Sequence, residues 1–203
     1  INPDFTRMNF NFTGVKVSEY GGPKGTGNPN PASGSCKTDE MLAKIKNNSK
    51  GKINPCLTFA LLNTESGCTA AAQSPAGACG IAQLMPTTAG VSCDTLKNNV
   101  DLSISKGIAY LLSNKSAVRG DLNGTGNAFA QATLDLYAAY NGGPGVLAGA
   151  RDCSGTNKYG FPYVKWDCTI NSGGYKETQA ASPRFLNSYL VCNDDAVLQQ
   201  KLK

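Results

Sequence analysis

The stretch Asn54-Pro55-Cys56-Leu57-Thr58-Phe59-Ala60-Leu61-Leu62-Asn63-Thr64-Glu65-Ser66-Gly67 decides how the chain is read. Asn54 offers a side-chain oxygen as a helix cap. Pro55 suits the first helical position, where its missing N–H would have had no partner, and Gly67 offers a stop. Between them, Leu57, Phe59, Ala60, Leu61 and Leu62 predict a helix so apolar that it belongs in a core. Its one charged residue is Glu65, in the last turn. Partial burial and the negative end of the helix dipole both disfavour a carboxylate, so the Glu65 carboxyl is expected to titrate above its ordinary range and to hold a proton near neutrality. A carboxylic acid kept protonated is what general acid cleavage of a glycosidic bond requires. The plainer alternative is a solvated glutamate at a helix end.

Outward from this stretch the pattern stays helical. Thr38 predicts an N-cap ahead of Met41, Leu42 and Ile45. Further helices are expected over about 99–118, from Leu102, Ile104, Ile108, Leu111 and Leu112, and over about 126–140, from Phe129, Ala132, Leu134, Leu136 and Tyr137. A C-terminal helix is expected to open at Pro183 and to carry Phe185, Leu186, Tyr189, Leu190, Val197 and Leu198. Residues 1–35 hold Gly21-Gly22-Pro23, Gly25, Gly27, Asn28-Pro29 and Asn30-Pro31, which predict an extended arm or linker, and 36–203 then forms one mainly α domain. Within 151–182, Gly155, Gly160, Gly173 and Gly174 with Cys153 and Cys168 predict an irregular, disulfide-stapled excursion containing a short hairpin. The start at Ile1 is consistent with a trimmed N-terminus.

Composition removes several function classes. The chain of 203 residues is 40% hydrophobic and 16% charged, which excludes a disordered polyelectrolyte, and a single core is the default. No apolar run approaches the roughly 20 residues of a membrane span. With 0 histidines, Ser-His-Asp, Cys-His and zinc-hydrolase readings fall together, so no metal or cofactor is implied. The 8 cysteines form no C-x-x-C pair, so at least three disulfides and an oxidising, extracytoplasmic compartment such as periplasm, cell exterior or virion are expected; buried free thiols are the alternative. Cys68–Cys79 is the first expected pair, bracketing the loop after Glu65, and Cys153–Cys168 the second. A net charge of +5 is spread thinly, with Lys44, Lys46, Lys50 and Lys52 as a solvated helix face. No stripe of basic and aromatic residues marks a nucleic-acid binder, and a monomer is expected.

Two further stretches join the first. Ser74-Pro75-Ala76-Gly77-Ala78-Cys79-Gly80-Ile81-Ala82-Gln83-Leu84-Met85-Pro86-Thr87-Thr88-Ala89 reads as a glycine-bearing turn leading into a short helix, and Tyr137-Ala138-Ala139-Tyr140-Asn141-Gly142-Gly143-Pro144-Gly145 as a helix ending in an aromatic, an amide and a glycine turn. In this order, Glu65-Ser66, Gly80-Ile81-Ala82-Gln83-Leu84-Met85-Pro86 and Ala139-Tyr140-Asn141-Gly142-Gly143 resemble the soluble lytic transglycosylase family over about 54–147. The resemblance implies a goose-type lysozyme-like helical fold and a peptidoglycan-cleaving enzyme acting on the β-1,4 bond between N-acetylmuramic acid and N-acetylglucosamine. It further implies Glu65 as catalytic acid/base, Ser66 as its substrate-touching neighbour, Gln83 and Met85 as cleft residues, and Tyr140 with Asn141 as the sugar-positioning pair. The family's late Tyr-Val motif has two candidates, Tyr189 and Tyr163, of which Tyr189 is preferred for its helical context. Gly142 stands where family members often have Ala, a one-methyl difference expected to be harmless. A hydrolytic muramidase with Asp94 or Asp101 activating water, a wall peptidase or amidase, and a non-catalytic wall-binding module remain as rivals.

Overall fold

Helix formation begins where the sequence provides caps. The Thr38 hydroxyl accepts from the Met41 N–H at 3.3 Å and opens α1 (Asp39–Ser49), while Asn54 Oδ1 accepts from the Cys56 N–H at 2.8 Å and opens α2 (Pro55–Glu65). Then come α3 (Pro86–Ala89), α4 (Cys93–Asn98), α5 (Val100–Ser113), α6 (Gly126–Gly142), α7 (Lys176–Asp194) and α8 (Ala196–Leu202). This computed structural model describes residues 35–170 and 175–203. The arm expected over 1–35 lies, except for its last residue, outside the described residues, as do Gly173 and Gly174. The described residues hold helices, turns and isolated bridges but no strand, and no helix long and apolar enough to cross a membrane. They divide into two compact units, 35–110 with 187–203 and 111–170 with 175–186.

In the first unit, α1 packs against α2 and α8. All seven residues from Cys56 to Leu62 are buried, as the apolar run requires. A buried hydrogen bond of 2.8 Å between Ser49 and Thr58 satisfies both hydroxyls where α1 meets α2. Lys44 and Asn48 of α1 each donate to Asp101, in the first turn of α5, at 2.9 Å. These bonds hold the Asp101 carboxyl below its ordinary range. Asp195 caps α8 by accepting from the Val197 and Leu198 N–H groups, so the apolar stripe read as one interrupted C-terminal helix is two helices.

The second unit is built on α6, whose residues from Phe129 to Tyr140 are all buried. Its one charge, Asp135, is fully buried. Asp135 accepts from Arg119 Nε and Nη2 at 2.9 Å, from Gln131 Nε2 at 2.9 Å and from Trp166 Nε1 at 2.7 Å. Arg119 also donates to Asp167 Oδ2 at 2.9 Å and to the Pro162 carbonyl. Asn157 Nδ2 bridges Asp167 and Gln131 at 2.7 Å. Burial works against the guanidinium charge, but the bonds from Asp135 and Asp167 outweigh it, and Arg119 titrates above its ordinary range. This network shapes the excursion after α6. The expected hairpin is reduced there to isolated bridges, Gly149 with Val164 and Thr156 with Pro162.

Two expectations need correction. Cys68 does not pair with Cys79: the bonds are Cys36–Cys68, Cys56–Cys192, Cys79–Cys93 and Cys153–Cys168, with no free cysteine. The loop after Glu65 needs no staple of its own, because Gln73, Cys79 and Leu84 bridge it through the backbone, which leaves Cys79 to reach α4. Pro183 does not open the last helix but lies inside α7. The turns before it are held by buried Thr178, Ala181 and Ser182, which outweighs the one hydrogen bond a proline removes. Gly142 itself is closely packed, since a Cβ there would meet Val146 Cγ1 at 2.6 Å.

Loop length ranks the disulfides. Removing Cys56–Cys192, which spans 136 residues, is expected to destabilise the chain by about 5 kcal/mol, against about 3 kcal/mol for Cys79–Cys93, which spans 14. Denaturant titration of the two double-alanine variants checks the order. Asp135→Asn is expected to cost about 3–5 kcal/mol, because it leaves Arg119 without its main partner in the interior; a thermal melt reads this as a Tm lowered by roughly 10 °C.

Candidate active site

At the end of α2 the backbone reverses within three residues. Glu65, the last residue of the helix, is half-buried, and buried Ser66 follows, its N–H bonded to the Leu62 carbonyl at 3.1 Å. Gly67 (φ 59°) and Cys68 (φ 63°) are then both left-handed. Glycine takes this conformation freely, but cysteine does so only under constraint. The constraint is visible: Cys68 is buried, bonded to Cys36, and its N–H returns to the Leu62 carbonyl at 3.2 Å. From the other side, Asn63 Nδ2 donates to Ser188 Oγ of α7 at 3.0 Å. The last turn of α2 is therefore fastened on both flanks of Glu65.

Ser66 couples this helix end to the second motif. Its hydroxyl donates to the Ile81 carbonyl at 2.7 Å and accepts from the Thr69 N–H at 3.2 Å. Ile81 lies in a tight turn closed by paired Cys79 and Leu84 bonds at 2.9 and 3.1 Å. Gly80 is required there, since at φ 76° a Cβ would stand 2.5 Å from the Leu96 carbonyl oxygen and 2.8 Å from Ser103 Oγ. Gln83 is left-handed as well (φ 47°), and its side-chain amide donates to the Gly80 carbonyl at 2.8 Å. A left-handed residue other than glycine persists where its surroundings over-determine it, and such residues gather at functional sites. Met85, the residue before α3, is 41% exposed, a large apolar side chain presented to solvent. Ile81 and Ala82 are buried, and Cys93 anchors Cys79, so the turn that carries Gln83 and Met85 is rigid.

The first unit thus brings Glu65, Ser66, Gln83 and Met85 to one rigid neighbourhood. It also contains Tyr189, on α7 next to the Ser188 that fastens Asn63. Tyr189 is fully buried, and that burial, with the Asp194 charge adding to it, pushes its phenol above the ordinary range. Of the two aspartates named as rivals, Asp101 is engaged by Lys44 and Asn48, and Asp94 lies exposed in the first turn of α4. Tyr140 and Asn141 belong to the second unit. Tyr140 is buried, its ring 6.3 Å from that of Tyr137, which in turn stacks on Phe185 at 4.9 Å. Asn141 Oδ1 accepts from the Thr178 hydroxyl at 2.7 Å, which fixes the amide and leaves its NH2 as donor.

Sequence reading missed the fasteners, namely Cys36–Cys68, Asn63–Ser188 and Ser66–Ile81, since none has a local signature. Asp135 did carry a signal: it is the one charged residue of α6. Ser66→Ala is expected to destabilise the chain by about 1–3 kcal/mol, by leaving the buried Ile81 carbonyl unpaired. Helix content, read by circular dichroism, is expected to stay unchanged.

The model of the Transglycosylase SLT domain family matches residues 43–159, more than half of the chain and the segment that holds Glu65, Ser66, Gln83, Met85, Tyr140 and Asn141. Among solved structures, the chain is similar to an inactive mutant of lytic transglycosylase Slt from Pseudomonas aeruginosa, with 24% identity, a TM-score of 0.50 and coverage of 77% of this chain and 24% of that one. It is also similar to the 70 kDa soluble lytic transglycosylase of Escherichia coli, with 22% identity, a TM-score of 0.49 and coverage of 74% and 24%. The chain spans about a quarter of the length of these structures. No curated protein matches it. Matched over more than half its length, with both its glutamate-bearing helix end and its glycine turn inside the match, the chain belongs to the Transglycosylase SLT domain family.

Proposed function

We propose that the chain is a peptidoglycan lytic transglycosylase that cleaves the β-1,4 bond between N-acetylmuramic acid and N-acetylglucosamine. The observation that carries the reading is Glu65, half-buried at a helix end pinned on both flanks, beside a rigid turn, within the family-matched segment. Glu65 donates its proton to the glycosidic oxygen, the C1–O bond breaks, and the oxocarbenium-like sugar is stabilised by its own N-acetyl carbonyl. The Glu65 carboxylate then takes the proton of the sugar's 6-hydroxyl as that oxygen bonds to C1, which closes a 1,6-anhydro ring. No water is consumed, Glu65 regains its proton, and the route asks for no metal or cofactor.

The remaining roles belong to the same reading. Gln83 and Met85 contact the glycan, Met85 through its exposed side chain. Tyr140 and Asn141 position the sugar, Asn141 through the NH2 that Thr178 leaves available. Ser66, buried and bonded to Ile81, acts as a positioning residue for Glu65. Tyr189, also buried, supports the same helix end through its neighbour Ser188. The hydrolytic alternative draws less support, because Asp101 is held by Lys44 and Asn48. Glycan strands are the partner, the four disulfides favour action outside the cytoplasm, and the chain works as a monomer.

Glu65→Gln keeps the size of the side chain and removes the transferable proton. Lysis of purified sacculi is expected to fall at least about a hundredfold with folding intact. Mass spectra of muropeptides released by the parent chain are expected to show 1,6-anhydro ends with no new reducing end. Products heavier by one water would assign the chain to the hydrolases, and a Glu65→Gln protein that clears sacculi at the parental rate would remove Glu65 from its role.

A further inference from the structure

The second unit holds a pocket that contains none of the residues given a role in the proposed function, though Tyr163, the less favoured candidate for the late family motif, lines it. Its volume is about 280 Å³, and its walls include Leu134, Tyr159, Tyr163, Trp166, Gln179 and Pro183. Most of these lie beyond residue 159, where the family match ends, in the excursion stapled by Cys153–Cys168 and on the first turns of α7. The volume sits just below the roughly 300–1,000 Å³ of small-molecule sites, which leaves room for one ring and not for a strand. Three aromatic rings with Leu134 and Pro183 make the apolar part of the wall, and Asn157, Lys158, Asp167, Thr169 and Gln179 the polar part, of which Asn157, Asp167 and Gln179 are held by hydrogen bonds. Gln179 Nε2 donates to the Cys168 carbonyl at 3.0 Å, so its Oε1 is left as an acceptor toward a ligand.

Charge decides between the ligands that aromatic walls favour. A cationic guest would need a free carboxylate, but Asp167 is taken up by Arg119, Asn157 and the Val164 N–H at 2.7–2.9 Å. A further cation, Lys158, lies 5.1 Å from the Tyr159 ring and would repel such a guest. A pyranose ring suits the pocket instead: its C–H face stacks on tyrosine, and an acetamido N–H can donate to Gln179 Oε1. We propose that this pocket binds a single N-acetylhexosamine ring, giving the chain a second hold on glycan apart from Glu65. The choice of an amino sugar rests on the glycan reading of the preceding section, whereas the pocket itself does not.

Trp166 is the chain's 1 tryptophan and lines the pocket, so its fluorescence reports occupancy directly. The full chain carrying Glu65→Gln, titrated with N-acetylglucosamine, is expected to give a saturable shift in Trp166 emission, with a weaker response to glucose, which lacks the acetamido group. Tyr163→Ala and Gln179→Ala are each expected to weaken binding about five-fold or more, while Tyr163→Phe, which keeps the ring, binds as the parent does. Lysis of sacculi by the parent chain is followed in parallel, so that loss of the catalytic reading leaves the titration result standing. The absence of a saturable shift overturns the proposal. So does a shift that survives both alanine substitutions, which reports binding elsewhere, and so does displacement of the sugar by a wall stem peptide at lower concentration.

Discussion

The structure of the first unit depends on how α2 ends. An eleven-residue helix buried through seven consecutive positions has no polar face to define its orientation, so its register has to be set at its ends. At the start, Asn54 caps it and Cys56 ties it to Cys192. At the finish, two left-handed residues in succession turn the chain back, and the second of them is bonded to Cys36. With both ends covalently held and Ser66 bonded to the Ile81 carbonyl, the Glu65 backbone has little freedom to move. A reacting group placed on such an element keeps its geometry better than one placed on a loop.

The second unit solves a different problem. Residues 148–168 contain too many glycines and too few alternating apolar residues to form strands, and their backbone still has to be satisfied. The solution is polar. Asp135 on the buried face of α6 gathers Arg119, Gln131 and Trp166, and Asp167 returns the same guanidinium to the excursion. Such a network is stabilising only when every member is paired, since a lone charge left in a low-dielectric interior costs several kcal/mol. Here each carboxylate accepts several bonds and the guanidinium donates to three partners, so an irregular segment acquires one conformation without a ladder.

What could be read from the sequence was what is local. Caps at Thr38 and Asn54, the stop at Gly67, the apolar runs of α2, α5 and α6 and the glycine turn at Gly80 all carry their reason within a few residues, and each was expected where it stands. The disulfide partner of Cys68 was not, because chain distance says nothing about which side of a helix end a left-handed cysteine faces. Pro183 misled for a related reason. A proline is a good opener in isolation, but buried Thr178, Ala181 and Ser182 commit the preceding turns to helix first. Tyr189, placed by its spacing on the apolar stripe of the C-terminal helix, lies in the core, where the α7 segment that carries it fastens the end of α2.

Glu65 sits at the C-terminal end of a helix, and this has a consequence for the proposed chemistry. Unpaired carbonyls give a helix C-terminus a partial negative charge, which favours nearby cations by about 0.3–1 kcal/mol and fades within a turn. In the proposed reaction the sugar passes through an oxocarbenium-like state, and the positive charge develops next to the acid that has just given up its proton. The end of α2 would therefore stabilise that state more than the neutral ground state, which is the requirement for an interaction to raise the rate. The reversal at Gly67 and Cys68 would serve this in turn, because it folds the chain away within three residues and, in the proposed reaction, would keep the last turn of the helix beside the sugar instead of running the helix past it.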